Sequence, residues 1–243
     1  MIEKIIFEII VFLSNIIQCI TGFAGTVLAM PFSVMLVGYD TAKPILNILG
    51  IAASIGVLLA DRKSVNKKEF IKIISVMFAG IIAGMFLASF FKGNASILYK
   101  LLGTIVIIFA LVNGIKFLKK KESAELNPVA SYAILIAAGV VHGMFVCGGP
   151  LLVTYASMKL RDTKEFRATL SAVWIVLNTV ILFGDIGNGY FSGDVLMLTA
   201  ISLIVLIGAV WLGNLISKKL SKKVFLVLTY ILMLISGISL FVK

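Results

Sequence analysis

"FVCGGPLLVTY", Phe145 to Tyr155, places two glycines and a proline inside a stretch apolar enough to lie in a bilayer. Glycine and proline are poor residues for a helix interior, so the apolar run from Val129 to Met158 breaks here. Non-helical backbone at membrane depth is tolerated only where protein or a wet cavity covers its N–H and C=O groups. The break is therefore expected to face inward. Gly148 and Gly149 permit tight backbone geometry, and Pro150 suits the first position of a new helix. A helix that begins at such a point offers partial positive charge and unpaired N–H groups, which suit an anion.

The rest of the chain supplies the membrane. Of 243 residues, 60% are hydrophobic and only 14% charged, with a mean hydropathy of +1.12. That leaves too little polar surface to wrap a soluble domain. Six apolar runs, 44–60, 70–91, 97–117, 168–184, 195–216 and 224–242, are long enough to cross the hydrocarbon. A second broken run, Ile5 to Val37, is interrupted at "TGFAG". Glu8 spoils the N-terminus as a signal peptide. Cys19 and Cys147 sit in apolar sequence, and no Cys/His spacing suits a metal, so neither a disulfide framework nor a metal or other cofactor is expected.

The net charge of +11 does not point to nucleic acid, because the basic residues bracket the apolar runs, which is the pattern of membrane topology. If both broken runs cross the membrane, the 22 basic residues divide eleven to eleven between the two sides. If each is a re-entrant hairpin that dips to the midplane and returns, the division is seventeen to five, with Lys159, Arg161, Lys164, Arg167, Lys218, Lys219, Lys222 and Lys223 joining the inner side. The positive-inside rule selects the second threading. The charges test only the second hairpin; the first follows by analogy, since an offset of 124 residues sets "GFAG" beside "VCGG". The expected fold is an all-α polytopic membrane protein of two inverted repeats, 1–121 and 128–243, each a broken hairpin (5–37, 129–158) followed by three transmembrane helices.

Ten of the eleven acids, Asp185 among them, are placed in loops or at span ends, and Glu8 alone falls within a span. Cation sites and proton relays use intramembrane carboxylates, so the substrate is expected to be anionic or neutral, held by backbone dipoles and neutral side chains. The expected binding set is Gly22, Ala24, Gly25 and Thr26 in the first tip and Cys147, Gly148, Gly149 and Pro150 in the second. Around them stand Asn47 and Ser54, Ser171 and Asn178, each pair seven residues apart on one helical face, and Arg167 at the entrance of its span. His142, about one turn before the second break, is a candidate for proton or substrate contact. Close helix packing by the glycines and interhelical bonding by the polar residues are the plainer readings. Trp174 and Trp211 read as packing or lipid-facing residues.

"GFAGTVLAMP" and "GMFVCGGPLLVTYASMKLRDTKEFRATLSAVWIVLN" resemble the TauE/SafE family of sulfite and organosulfonate exporters. The most specific part is Gly148, Gly149 and Pro150 through Tyr155, then Phe166, Arg167, Ala168, Thr169 and Asn178. Ala24, Thr26 and Val146 depart from the glycine-rich family pattern, changes that narrow or stiffen the hairpin tips. The resemblance implies a secondary transporter of the cytoplasmic membrane that exports a small anion: sulfite, an organosulfonate or a related carboxylate. A metal-ion or neutral-solute carrier of the same fold is the alternative. An intramembrane enzyme is not expected, since the chain has one histidine and no pair of acids within spans. The expected partners are the substrate and lipid, not nucleic acid; the coupling ion, proton or sodium, and a homodimer stay open.

Overall fold

The computed structural model describes residues 2–21, 24–91, 93–118, 127–160, 162–217 and 222–242. Gly22, Lys92, Lys119, Lys120, Lys121, Arg161, Lys218 and Lys219 lie outside them, so the parts expected of these residues have no structural counterpart here. The described residues form ten α-helices and one short 3-10 turn: α1 (Ile2–Thr21), α2 (Gly25–Val37), α3 (Tyr39–Asp61), α4 (Lys67–Phe90), α5 (Ala95–Leu118), α6 (Pro128–Phe145), α7 (Gly149–Lys159), α8 (Thr163–Gly187), α9 (Gly193–Ser217) and α10 (Lys222–Val242). Six of them, α3, α4, α5, α6, α8 and α9, are long and apolar enough to cross a membrane. The protein is an all-helical, multi-pass membrane protein.

Both broken runs are helix pairs, and the breaks fall at the sequence interruptions. The arms are unequal. α6 has 18 residues, about 27 Å, whereas α7 has 11, about 16 Å. α6 runs on through Gly139 and Gly143, whose bare faces lie against α4, and so ends past the middle of the broken run.

The chain packs as two compact units, each drawing helices from both halves of the sequence: Met1–Ile45, Phe91–Glu122 and Gly193–Lys243 in one, Leu46–Phe90 and Ser123–Ser192 in the other. In the first, α1 runs parallel to α9. Lys4 Nζ stands 3.5 Å from Asp194 Oδ2, Ser202 donates to Glu8 Oε1 at 2.7 Å, and Gly213 lies against Cys19 and Ile16. α2 turns back along α1, and Gly25 is held against Gln18, where a Cβ would come 2.7 Å from the Gln18 Cβ. The end of α2 meets the start of α5, Tyr99 Oη donating to the Val34 carbonyl at 3.0 Å, and the end of α10, through Ser239 and Met35. α5 and α10 are antiparallel: Gly103 lies on Gly237, and the Phe117 and Tyr230 rings meet edge to face at 6.3 Å.

In the second unit α6 runs parallel to α4 through two Gly-x-x-x-Gly faces. A Cβ on Gly80 would sit 3.0 Å from Gly139 Cα, one on Gly84 3.0 Å from Val140 Cα, and one on Gly143 3.0 Å from Ile81 Cα. Small residues let backbones approach this closely, and dispersion contact and weak Cα–H···O bonds replace the hydrophobic drive that lipid does not supply. Caps fix the helix starts. Asn127 accepts from Ala130 N ahead of Pro128, Asp162 accepts from Glu165 N, and Asn66 accepts from Glu69 N.

These starts gather at one end of the unit. Lys72 Nζ lies over the Tyr132 ring of α6 at 5.1 Å and over the Tyr155 ring of α7 at 5.3 Å. Tyr155 Oη donates to Glu69 Oε2 at 2.7 Å. Asn66 joins α8, its N–H donating to Thr169 Oγ1 at 2.9 Å and its amide to Glu165 Oε1 at 2.8 Å. The start of α6 and the end of α7 thus lie together beside the start of α4.

Candidate anion site at the second break

The second break is built by a left-handed residue followed by a close approach. Val146 ends α6 with φ 56° and ψ 24°, its N–H returning to the His142 carbonyl at 2.7 Å. A β-branched residue in this region is strained. The tight geometry expected of Gly148 is not a matter of φ, because Gly148 is right-handed at φ −68°. Its lack of a side chain is needed for another reason. A Cβ there would collide with the Ala138 carbonyl and come 2.8 Å from His142 Cβ, so glycine lets the start of α7 lie directly on α6.

His142 closes the turn. Its Nδ1 accepts from the Gly148 N–H at 3.4 Å, and its Nε2 lies 2.6 Å from Asn178 Oδ1 on α8. A backbone N–H can only donate, so Nδ1 is the acceptor and Nε2 carries the proton, which it gives to Asn178. The ring is neutral, buried, and stacked on Trp174 at 4.6 Å with a tilt of 37°. Trp174 is thus a wall of the histidine's site. Trp211 is exposed, as expected of a lipid-facing residue.

From α3, Asn47 reaches the same cluster and donates from Nδ2 to the Asn178 carbonyl at 2.9 Å. Gly50, one turn on, makes room for the Asn178 amide, which a Cβ there would approach to 2.8 Å.

The donors left over can be counted. The N-cap and first three residues of a helix carry N–H groups with no acceptor in the helix. In α7 these belong to Gly148, Gly149, Pro150 and Leu151. His142 takes the first and proline has none. Among the described residues the N–H groups of Gly149 and Leu151 remain, at the positive end of the α7 dipole, among buried neutral side chains.

The other expected residues fall as follows. Cys147, Gly149 and Pro150 are buried at the break. Ser54 and Ser171 are buried but lie seven residues, about 10 Å along the axis, from Asn47 and Asn178, and do not join the hydrogen-bonded cluster. Arg167 is exposed near the start of α8, eleven residues or about 16 Å from Asn178. At the first break, Ala24 and Gly25 are buried and Thr26 is half-buried at the start of α2. Asp185, expected at a span end, is fully buried, because α8 continues through it to Gly187. Glu8, expected within a span, is indeed within α1, half-buried and bonded to Ser202.

Sequence reasoning missed the glycine faces of α4 and α6, although "GIIAG" at 80–84 and "GVVHG" at 139–143 carried the signal. It also missed the Asn66–Glu165 and Glu69–Tyr155 bonds, which join residues 99 and 86 apart in the chain.

The family model of the sulfite exporter TauE/SafE family matches residues 7–240. The chain belongs to the TauE/SafE family. Its members are membrane transporters, and this chain is an integral membrane transporter. No curated protein matches it, and no solved structure does.

Proposed function

We propose that this TauE/SafE protein is a secondary transporter of the cytoplasmic membrane that carries a small sulfur oxyanion, sulfite or an organosulfonate, or a related carboxylate, outward. The observation that carries this reading is the first turn of α7, where Gly149 and Leu151 keep donors at a helix N-terminus set among neutral polar groups. Such dipoles repay part of the anion's dehydration without a fixed cation, which leaves the anion free to depart. His142 acts on the backbone: held by Asn178, it takes the Gly148 N–H and so keeps the start of α7 against α6.

The packing directions support the topology. The start of α6 and the end of α7 both lie beside Lys72, as a hairpin returning to its own side requires. α1 is parallel to α9, and α2 turns back along α1. Counting through the spans, the antiparallel pairing of α5 with α10 fits a second broken run that does not cross. The first helix of each half packs on the penultimate helix of the other, α1 on α9 and α6 on α4, as two inverted copies would.

The test is flux from proteoliposomes loaded with sulfite, an organosulfonate, or a metal cation. Efflux of the sulfur anions that is saturable and lost in Gly148→Ala supports the reading. Cation flux without anion flux overturns it.

A further inference from the structure

Asn47 carries a buried acceptor that nothing among the described residues satisfies. The side chain is fully buried, and its Nδ2 donates to the Asn178 main-chain carbonyl at 2.9 Å. A carbonyl only accepts, so the amide cannot be turned over, and Oδ1 must point the other way. There it has no hydrogen-bond partner among the described residues. Buried carbonyl oxygens are ordinarily paired, and one left bare carries its full dehydration cost. Three hydrogen bonds tie the Asn47 side chain, through Nδ2, to the break: Asn47 Nδ2 to the Asn178 carbonyl, His142 Nε2 to Asn178 Oδ1, and the Gly148 N–H to His142 Nδ1.

We infer that Asn47 Oδ1 is a specificity-determining acceptor, which selects anions carrying an O–H or N–H donor of their own over anions that offer acceptors alone. The inference rests on the anion reading above and names its substrate class: a singly charged oxyanion with one donor, such as a hydroxyalkanesulfonate or a protonated oxyanion. The anionic end meets the Gly149 and Leu151 N–H groups, and the donor meets Asn47. An anion with no donor leaves Oδ1 bare and adds lone-pair repulsion, so it binds more weakly.

The test compares 2-hydroxyethanesulfonate with propane-1-sulfonate, which have nearly the same size and charge but differ by one donor. Binding is read from Trp174 fluorescence in a Trp211→Phe background, Trp174 being the residue stacked on His142. The expected preference for the hydroxy compound is on the order of 10-fold. Asn47→Ala brings the two ligands to within about twofold of each other. Should that variant fail to fold, the comparison in the otherwise native chain decides alone. Equal affinities there overturn the inference and leave the anion reading standing. Binding of neither sulfonate, with binding of a neutral solute or metal ion instead, overturns both.

Discussion

Gly148→Ala separates two reasons for a glycine at a break. At φ −68° and ψ −6° alanine is conformationally comfortable at this position, so any effect comes from the added methyl group. That methyl would collide with the Ala138 carbonyl and approach His142 Cβ to 2.8 Å. Neither neighbour is the free end of a flexible side chain, so α7 must move away from α6. Overpacking of this kind costs about 1–3 kcal/mol, and stretching the 3.4 Å Gly148–His142 bond beyond reach adds about 1 kcal/mol. For a chain of this size each kcal/mol lowers the melting temperature by about 2–4 °C, so the loss should be roughly 4–16 °C in detergent. Anion binding, followed by ligand-induced stabilisation, should fall by at least about 10-fold, since the Gly149 and Leu151 donors shift with the helix. Gly189→Ala is the control. Gly189 is left-handed at φ +73° and an added Cβ would meet nothing within 4 Å, so it gains strain of about 1–2 kcal/mol but no clash, and anion binding is retained. A Gly148→Ala protein with native melting temperature and native sulfite binding would refute the close-approach argument.

Three further outcomes follow from the packing. Gly84→Ala puts a methyl against the Val140 backbone, 3.0 Å from its Cα, and should destabilise by about 1–3 kcal/mol by thermal unfolding. Val146→Gly should be more stable than Val146→Ala by about 1–2 kcal/mol, since both lose the buried isopropyl group and only alanine keeps the left-handed strain. Tyr155→Phe and Glu69→Gln should show a coupling of about 1–3 kcal/mol in a double-mutant cycle of unfolding, and additive effects would deny the 2.7 Å bond.

Helix positions were largely legible because hydropathy is a local property, although α6, read as one arm of a broken run, is itself long and apolar enough to span. The expected run 70–91 became Lys67–Phe90, and 195–216 became Gly193–Ser217. Helix breaks were legible for the same reason: "CGGP" and "GFAG" cannot continue a helix comfortably. Asn47, Asn178 and His142 stood out as polar residues in apolar helices, but their mutual bonding depends on how α3, α6 and α8 meet, which no local pattern encodes. Helix length misled in one place, since α8 runs past the apolar span and carries Asp185 inside with it. Glycine chemistry misled in another. The left-handed position fell to Val146, where the preference for glycine would have placed it elsewhere, and Gly148 serves contact instead.

If the first turn of α7 holds the anion, the Gly149 amide must feel it directly. Gly148–Gly149 is the sole Gly-Gly pair in the sequence, so glycine labelled with ¹³C at the carbonyl and ¹⁵N at the amide gives one doubly coupled amide resonance, that of Gly149. Titration with sulfite should move this amide proton downfield, saturably, while Gly208 on α9 stays fixed. A Gly149 amide that does not respond at saturating sulfite, in protein that transports it, would contradict the account.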